Sequence, residues 1–225
     1  MRTRFSRYVQ ALGTRPTPTI DQEFDLTEKH AAELERQLHH LVSQISRLKT
    51  VLHDAALLQV NVALTLAELS AKNTAVAAAS STFASVAREV EQRQDAYAEA
   101  VATGIEVPLL AFLQQFGCLK ARSRVLGERR REMDRRRRAM ERKQRKYGSG
   151  AGVVDVQKRY GSEKELYMTL RNEIIADRRQ LTDAAPRVVG EVARILIGEG
   201  CGCLAMNAET WARLESALYD LTEGD

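Results

Sequence analysis

Between Asp21 and Ala71 the chain has neither glycine nor proline, and Leu34, Leu38, Leu41, Ile45, Leu48 and Leu52 recur at alternating spacings of four and three. Residues so spaced share one face of an α-helix, and nothing within the run would stop that helix. Roughly fifty residues would make a helix about 75 Å long. Composition agrees. With 5% aromatic residues and four prolines the chain is poor in the makings of an ordinary globular core, whereas 28% charged residues among Ala, Leu, Glu, Arg and Gln is typical of extended helices and coiled coils. The expected fold is all-α.

The boundaries follow from capping chemistry. Asp21 can cap a first helix starting near Ile20–Asp21, with Glu23 favoured by the positive helix end, and the helix should run to about Ala71. Its second half, Ala55–Leu69, is apolar around much more of its circumference than Glu28–Lys49 and needs partners on several sides. Asn73–Thr74 supplies a turn and cap, and the alanine-rich Ala75–Ala87 permits close helix approach. The second helix should continue to Tyr147, interrupted only by Gly104 and by a bend at Pro108. Leu119, Leu126, Met133, Met140 and Tyr147 mark a narrow seam at seven-residue spacing. After a reversal at Gly148–Gly152, a third helix carries Val156, Tyr160, Leu166, Leu170, Ile174, Leu181, Val188, Val192 and Ile195, with a further bend at Pro186. Gly198, Gly200 and Gly202 should end it, and Asn207 should cap a last helix through Trp211, Leu214, Leu218 and Leu221.

Short turns make successive helices antiparallel, so the expected architecture is an elongated, kinked coiled coil of three long helices. The most apolar stretches, Ala55–Val86, Val101–Leu113 and Val188–Leu221, then gather at one end, and the charged stretches towards the other. Three helices cannot cover so apolar an end. Pairing with a second copy about a two-fold axis, giving a central six-helix bundle, is the simplest remedy.

Charge is concentrated as well. From Arg129 to Lys146 eleven basic residues face three acids, a net +8 in a chain whose total is +4, so the remainder carries −4. Such a local excess points to an anionic partner, with Arg129, Arg130, Arg135, Arg136, Arg137, Arg138, Arg142, Lys143, Arg145 and Lys146 as candidate contacts and Lys158 and Arg159 just across the turn. Residues 1–18 form a separate segment and linker before a helical domain at 19–225. Met1, Phe5, Tyr8, Val9 and Leu12 would share one face of an induced helix opposite Arg2, Arg4 and Arg7, as in a helix lying at a membrane interface, with Phe5 as the wedge. The same arginines, with no acid before Asp21, also fit a transit peptide.

Several function classes find no support. Cys118, Cys201 and Cys203 make no disulfide framework, the thiols of Cys201-Gly-Cys203 supply half a tetrahedral metal set, and His30, His39, His40 and His53 show no ligand pattern. No metal or cofactor is expected. With no phosphate loop, no nucleophile with a base and no paired carboxylates in a pocket-forming context, the reading is a non-enzymatic scaffold in a reducing, cytosolic setting. Nucleic acid is a rival partner, although a bZIP arrangement would need leucine heptads continuing from the basic helix, and Gly148–Gly152 ends it.

Particular residues add to this. Val9-Gln-Ala-Leu-Gly13 followed by Asp21-Gln-Glu-Phe24, the Gly127–Asp134 segment with Glu132-Met133-Asp134, and Pro186 late in the third helix stand in the order seen in BAR domains, and from Arg4 to about Leu221 the chain resembles the amphiphysin and endophilin type. The resemblance implies an arched homodimer that lays a basic concave face and basic tips on anionic membrane, rich in phosphatidylserine or phosphoinositide, from the cytoplasmic side, with an N-terminal amphipathic helix inserting as a wedge. It implies sensing or generation of curvature in endocytosis or trafficking, with endocytic or cytoskeletal proteins as further partners. Where the family places basic residues around the glycine at Gly127, this chain has Val125, Leu126 and Glu128, with only Arg129 matching in charge. Weight therefore shifts to the tips and the N-terminal segment. A coiled-coil adaptor or cytoskeletal scaffold is the alternative.

Overall fold

The computed structural model describes residues 19–148 and 150–222. In chain order, α1 spans Gln22–Leu69 and α2 Thr74–Val101; a π-helical turn, Ala102–Glu106, leads into α3, Val107–Tyr147; α4 spans Ala151–Ala212 and α5 Leu214–Thr222. There is no strand among the described residues. The fold is all-α, with three long helices: α1, the α2–α3 run and α4.

The caps fall where the sequence places them. Asp21 Oδ1 accepts the Phe24 N–H at 3.2 Å, and Asn73 Oδ1 accepts that of Val76 at 3.3 Å, each satisfying a donor that the first helical turn leaves free. At the interruption of the second helix, Val107 N–H donates to Ala102 O, a slip of one residue just before Pro108, which has no N–H to give. The bend expected at Pro108 thus takes the form of a wider turn upstream of it. Gly104 lies in that turn because α4 comes close: a Cβ there would sit 3.3 Å from Ile195 Cδ1.

One boundary differs from expectation. Helix α4 passes through Gly198, Gly200 and Gly202 without a break, and Asn207 is a buried residue of its interior rather than a cap. Each glycine costs about 1 kcal/mol relative to alanine, but the flanking turns are held from outside. Arg93 donates to the Met206 carbonyl at 2.6 Å and to the Thr210 hydroxyl, Cys203 is buried, and the Gly200 backbone lies against Tyr97, whose Oη would be 3.4 Å from an added Cβ. The chain turns instead at Arg213, whose N–H donates to Thr210 O at 3.3 Å.

The described residues form two compact units. The first comprises 19–32 and 116–182. There α3 and α4 run antiparallel, with Arg122 bridging to Glu173 at 2.8 Å and to Asp177, and Arg129 to Glu163 at 3.1 Å. Leu119, Leu126 and Met133 of α3, Phe24 of α1 and Tyr167, Ile174 and Leu181 of α4 are among its buried core residues. The seam closes early: Met140 is half-buried and Tyr147 is 60% exposed. On α4, Leu166 is exposed and Tyr167 takes the inward position.

The second unit comprises 33–115 and 183–222. Helix α1 runs antiparallel to α2 and the π-helical turn that follows it, as shown by Lys49–Glu106 at 2.7 Å, His53–Asp95 at 2.9 Å and Ser70–Ser80 at 3.1 Å. Val60, Ala63, Ala84 and Ala87 form a tight cluster, flanked by Leu64 and Phe83, in which small side chains bring α1 and α2 together. Trp211 packs against Phe83 at 5.8 Å between ring centroids and anchors the end of α4.

Candidate functional site

The arginine-dense stretch is a regular part of α3, and its basic residues fall into two sets. Arg129 and Arg136 both reach Glu163, Arg136 also pairs with Glu132 at 2.9 Å, and Arg137 pairs with Asp134 at 3.2 Å. Those side chains help to hold the unit together. Arg135, Arg138, Arg142, Lys143, Arg145 and Lys146 are exposed. Their contacts are local: Arg135 to Glu132 at 2.9 Å, Arg142 Nε to Arg138 O at 3.3 Å, Lys143 to Gly152 O at 3.4 Å, and the Lys146 ammonium over the Tyr147 ring. Across the turn, where Gly148 has φ +63°, Lys158 is exposed and Arg159 pairs with Asp155 at 3.1 Å. Arg130 is half-buried. Arg2, Arg4, Phe5 and Arg7, with the whole segment 1–18, lie outside the described residues.

Sequence reasoning missed the fastening beside this surface. Thr19 donates from its hydroxyl to Asp134 Oδ1 at 2.7 Å and from its N–H to Oδ2 at 3.4 Å, so the start of the described chain is tied to α3 inside the basic stretch. Two residues on, Asp21 accepts from Arg171 and from the Tyr167 hydroxyl, while Arg171 also reaches Glu23. Hydrogen bonds from Arg171, opposed by burial and aided by the Phe24 N–H and Tyr167, hold the Asp21 carboxyl at about 2. Burial and the adjacent Asp21 push the Tyr167 phenol up to about 12. Arg178 is buried with its guanidinium 4.2 Å from the Phe24 ring centroid, donating to Phe24 O, Glu28 and Ser123. The signal was present: Tyr167, Arg171, Ile174, Arg178 and Leu181 alternate by four and three, so two arginines occupy seam positions of α4 and require buried partners.

The second unit leaves much of its apolar surface uncovered. Leu58 is 64% and Leu204 70% exposed, and Leu57, Val62, Leu66, Leu69, Val107, Leu110 and Ile197 are exposed too. A cleft of about 730 Å³ opens beside Pro108, between Leu109, Phe112, Val188 and Val192. By length and composition α1 and the second helix each contain a stretch apolar enough to cross a membrane, and only 17% of that stretch in α1 is buried. Among the described residues no cluster of His, Cys, Asp or Glu is placed to hold a metal ion; Cys118 and Cys201 are exposed free thiols.

No protein-family model matches the sequence, and no curated protein matches it. Solved structures do match. The amphiphysin BAR domain from Drosophila superposes with a TM-score of 0.77 over 94% of this chain and 97% of that one, at 14% identity. A BAR protein from Galdieria sulphuraria gives 0.69 over 90% and 96%, at 13% identity, and the N-terminal I-BAR domain of IBARa from D. discoideum gives 0.52 over 91% and 92%, at 11% identity. The chain has a BAR-domain fold.

Within the BAR fold the residues that carried the sequence resemblance take structural places. Asp21 and Phe24 begin α1, capped and stacked as described. In Glu132-Met133-Asp134, Met133 is core, Glu132 holds Arg135 and Arg136, and Asp134 holds Thr19 and Arg137. Helix α4 continues as an α-helix through Pro186. Around Gly127 the BAR fold of this chain exposes Val125 and Glu128 and buries Leu126.

Proposed function

We propose that this chain is a non-enzymatic membrane-binding module that works as a homodimer, peripheral on the cytoplasmic face of anionic membranes, and senses or generates curvature there in endocytosis or another trafficking step. The observation that carries this reading is the set of exposed, locally paired basic residues on α3 in a chain with a BAR fold. Each basic side chain near a phosphatidylserine- or phosphoinositide-rich leaflet contributes about 1 kcal/mol at most. Several per subunit, doubled in a dimer, give useful and strongly salt-dependent affinity. Arg2, Arg4, Arg7 and Phe5 would add an inserted segment.

A second copy is the cover we assign to the exposed apolar residues of α1 and α4. An apolar face this broad in a chain rich in ion pairs is the signature of an obligate interface, and a cleft such as the one beside Pro108 needs a side chain from outside to fill it.

Co-sedimentation with liposomes tests the reading. Binding to vesicles containing phosphatidylserine should be clear at low salt, fall steeply as salt rises, and be weak on phosphatidylcholine alone. Equal binding to both vesicle types, or none at low salt, would overturn it.

A further inference from the structure

We propose that the lipid-contacting face of α3 is a single row of arginines, Arg131, Arg135, Arg138, Arg142 and Arg145, rather than the basic stretch as a whole. This rests on the membrane reading above and selects the surface it uses. Successive members are four, three, four and three residues apart, so at about 100° per residue all five fall within an arc of about 80° and along about 21 Å of helix. All five are exposed. Their hydrogen bonds to carbonyls engage only Nε, from Arg131 to Gly127 O and from Arg142 to Arg138 O, and so do not use the terminal nitrogens of those two side chains. Arg138 and Arg145 make no ion pair among the described residues, and the Arg135–Glu132 pair is on the surface, with the Arg135 side chain 77% exposed. Each guanidinium can offer two parallel donors to one phosphate.

Several of the remaining cations fit a flat anionic surface less well. Arg129, Arg136 and Arg137 are committed to Glu163, Glu132 and Asp134, and releasing them would strand carboxylates of which Glu163 and Asp134 are buried. On α4, Lys158, Arg159 and Lys164 point in directions about 100° or more apart, and Arg159 pairs with Asp155. A plane can touch one side of a helix only.

Lipid is favoured over nucleic acid by the shape of the row. Five exposed cations within one arc of about 80° present a narrow, straight strip, as a flat headgroup layer requires. A helix seated in a duplex groove has phosphates on both walls and would use cations on both flanks.

The test compares two triple variants of the full chain with equal loss of charge: Arg131→Gln, Arg138→Gln, Arg145→Gln against Lys158→Gln, Arg159→Gln, Lys164→Gln. On phosphatidylcholine vesicles containing phosphatidylserine, the row variant should bind about tenfold or more weakly, and the α4 variant should stay within about twofold of the parent. Equal losses would mean that net charge matters and the face does not, which overturns the proposal; so would no loss in the row variant while the parent binds. A parent that ignores these vesicles defeats the membrane reading itself. Tighter binding of the parent to duplex DNA than to vesicles, abolished in the row variant, would reassign the row to nucleic acid. Circular dichroism checks helicity, and single Arg138→Gln and Arg145→Gln variants, whose side chains hold no other residue, give the same ranking should the triple variant unfold.

Discussion

The Arg171 guanidinium on α4 grips the Asp21 carboxylate at the first turn of α1, donating from Nη2 to Oδ1 at 2.8 Å and from Nε to Oδ2. Because this contact holds the Asp21 carboxyl at about 2, below its ordinary 3.8, the folded state favours the ionised form. Its contribution is fully present above pH about 4 and is lost as pH falls towards 2. Asp21→Asn, which keeps a cap, should cost about 2 kcal/mol at neutral pH. Urea unfolding of parent and variant should show that difference shrinking in acid. Tyr167, raised to about 12, sets the opposite limit: its contribution is intact below pH 10 and fades as pH climbs towards 12.

Arg178 makes the same unit depend on a buried cation. Its partner Glu28 is half exposed, so removing the arginine strands no buried charge but empties the space against Phe24 and leaves Ser123 without its donor. Arg178→Ala should cost about 2–4 kcal/mol, and Arg178→Met, which fills the space, about half as much. Thermal melts of the two variants give the ordering; equal and small effects would show that the guanidinium contacts contribute little.

Helix α4 runs through Gly198, Gly200 and Gly202, and at the first and last of these there is open space where a Cβ would go. Gly198→Ala and Gly202→Ala should each therefore stabilise the chain by up to about 1 kcal/mol. If the helix ended there, as the glycines by themselves imply, alanine would not help. Denaturant midpoints distinguish the two outcomes.

His53 lies 2.9 Å from Asp95, and hydrogen bonding to that carboxylate raises the imidazole above its ordinary 6.5. The stability it contributes is present below pH 6.5 and is lost as pH rises through the elevated value in the fold. NMR titration should find His53 still protonated above its ordinary 6.5, with Asp95→Asn removing the elevation.

Leu58 and Val62 lie one helical turn apart on α1, and both are exposed in the single chain. Leu58→Asp with Val62→Asp should leave helicity intact and halve the mass seen by sedimentation, with the melting temperature no longer depending on concentration. A dimer that survives would place the interface on other residues.

Much of this protein follows from local rules. Helix α1 could be read because fifty residues without glycine or proline carry one unbroken apolar period, and its caps because Asp21 and Asn73 are side chains that bond the nearby N–H groups they precede. These determinants act within a turn or two of the chain, where sequence spacing is spatial spacing. The fold class and the basic stretch were legible for the same reason. What only the tertiary structure decided depended on partners carried by another helix. Whether three glycines end a helix was settled by Arg93 and Tyr97 packing across α4; which register of α4 faces inward, by Tyr167 reaching Asp21; which arginines are free, by Glu163 of α4 taking Arg129 and Arg136. Local free energies there differ by about 1 kcal/mol, and a single long-range contact is enough to reverse them.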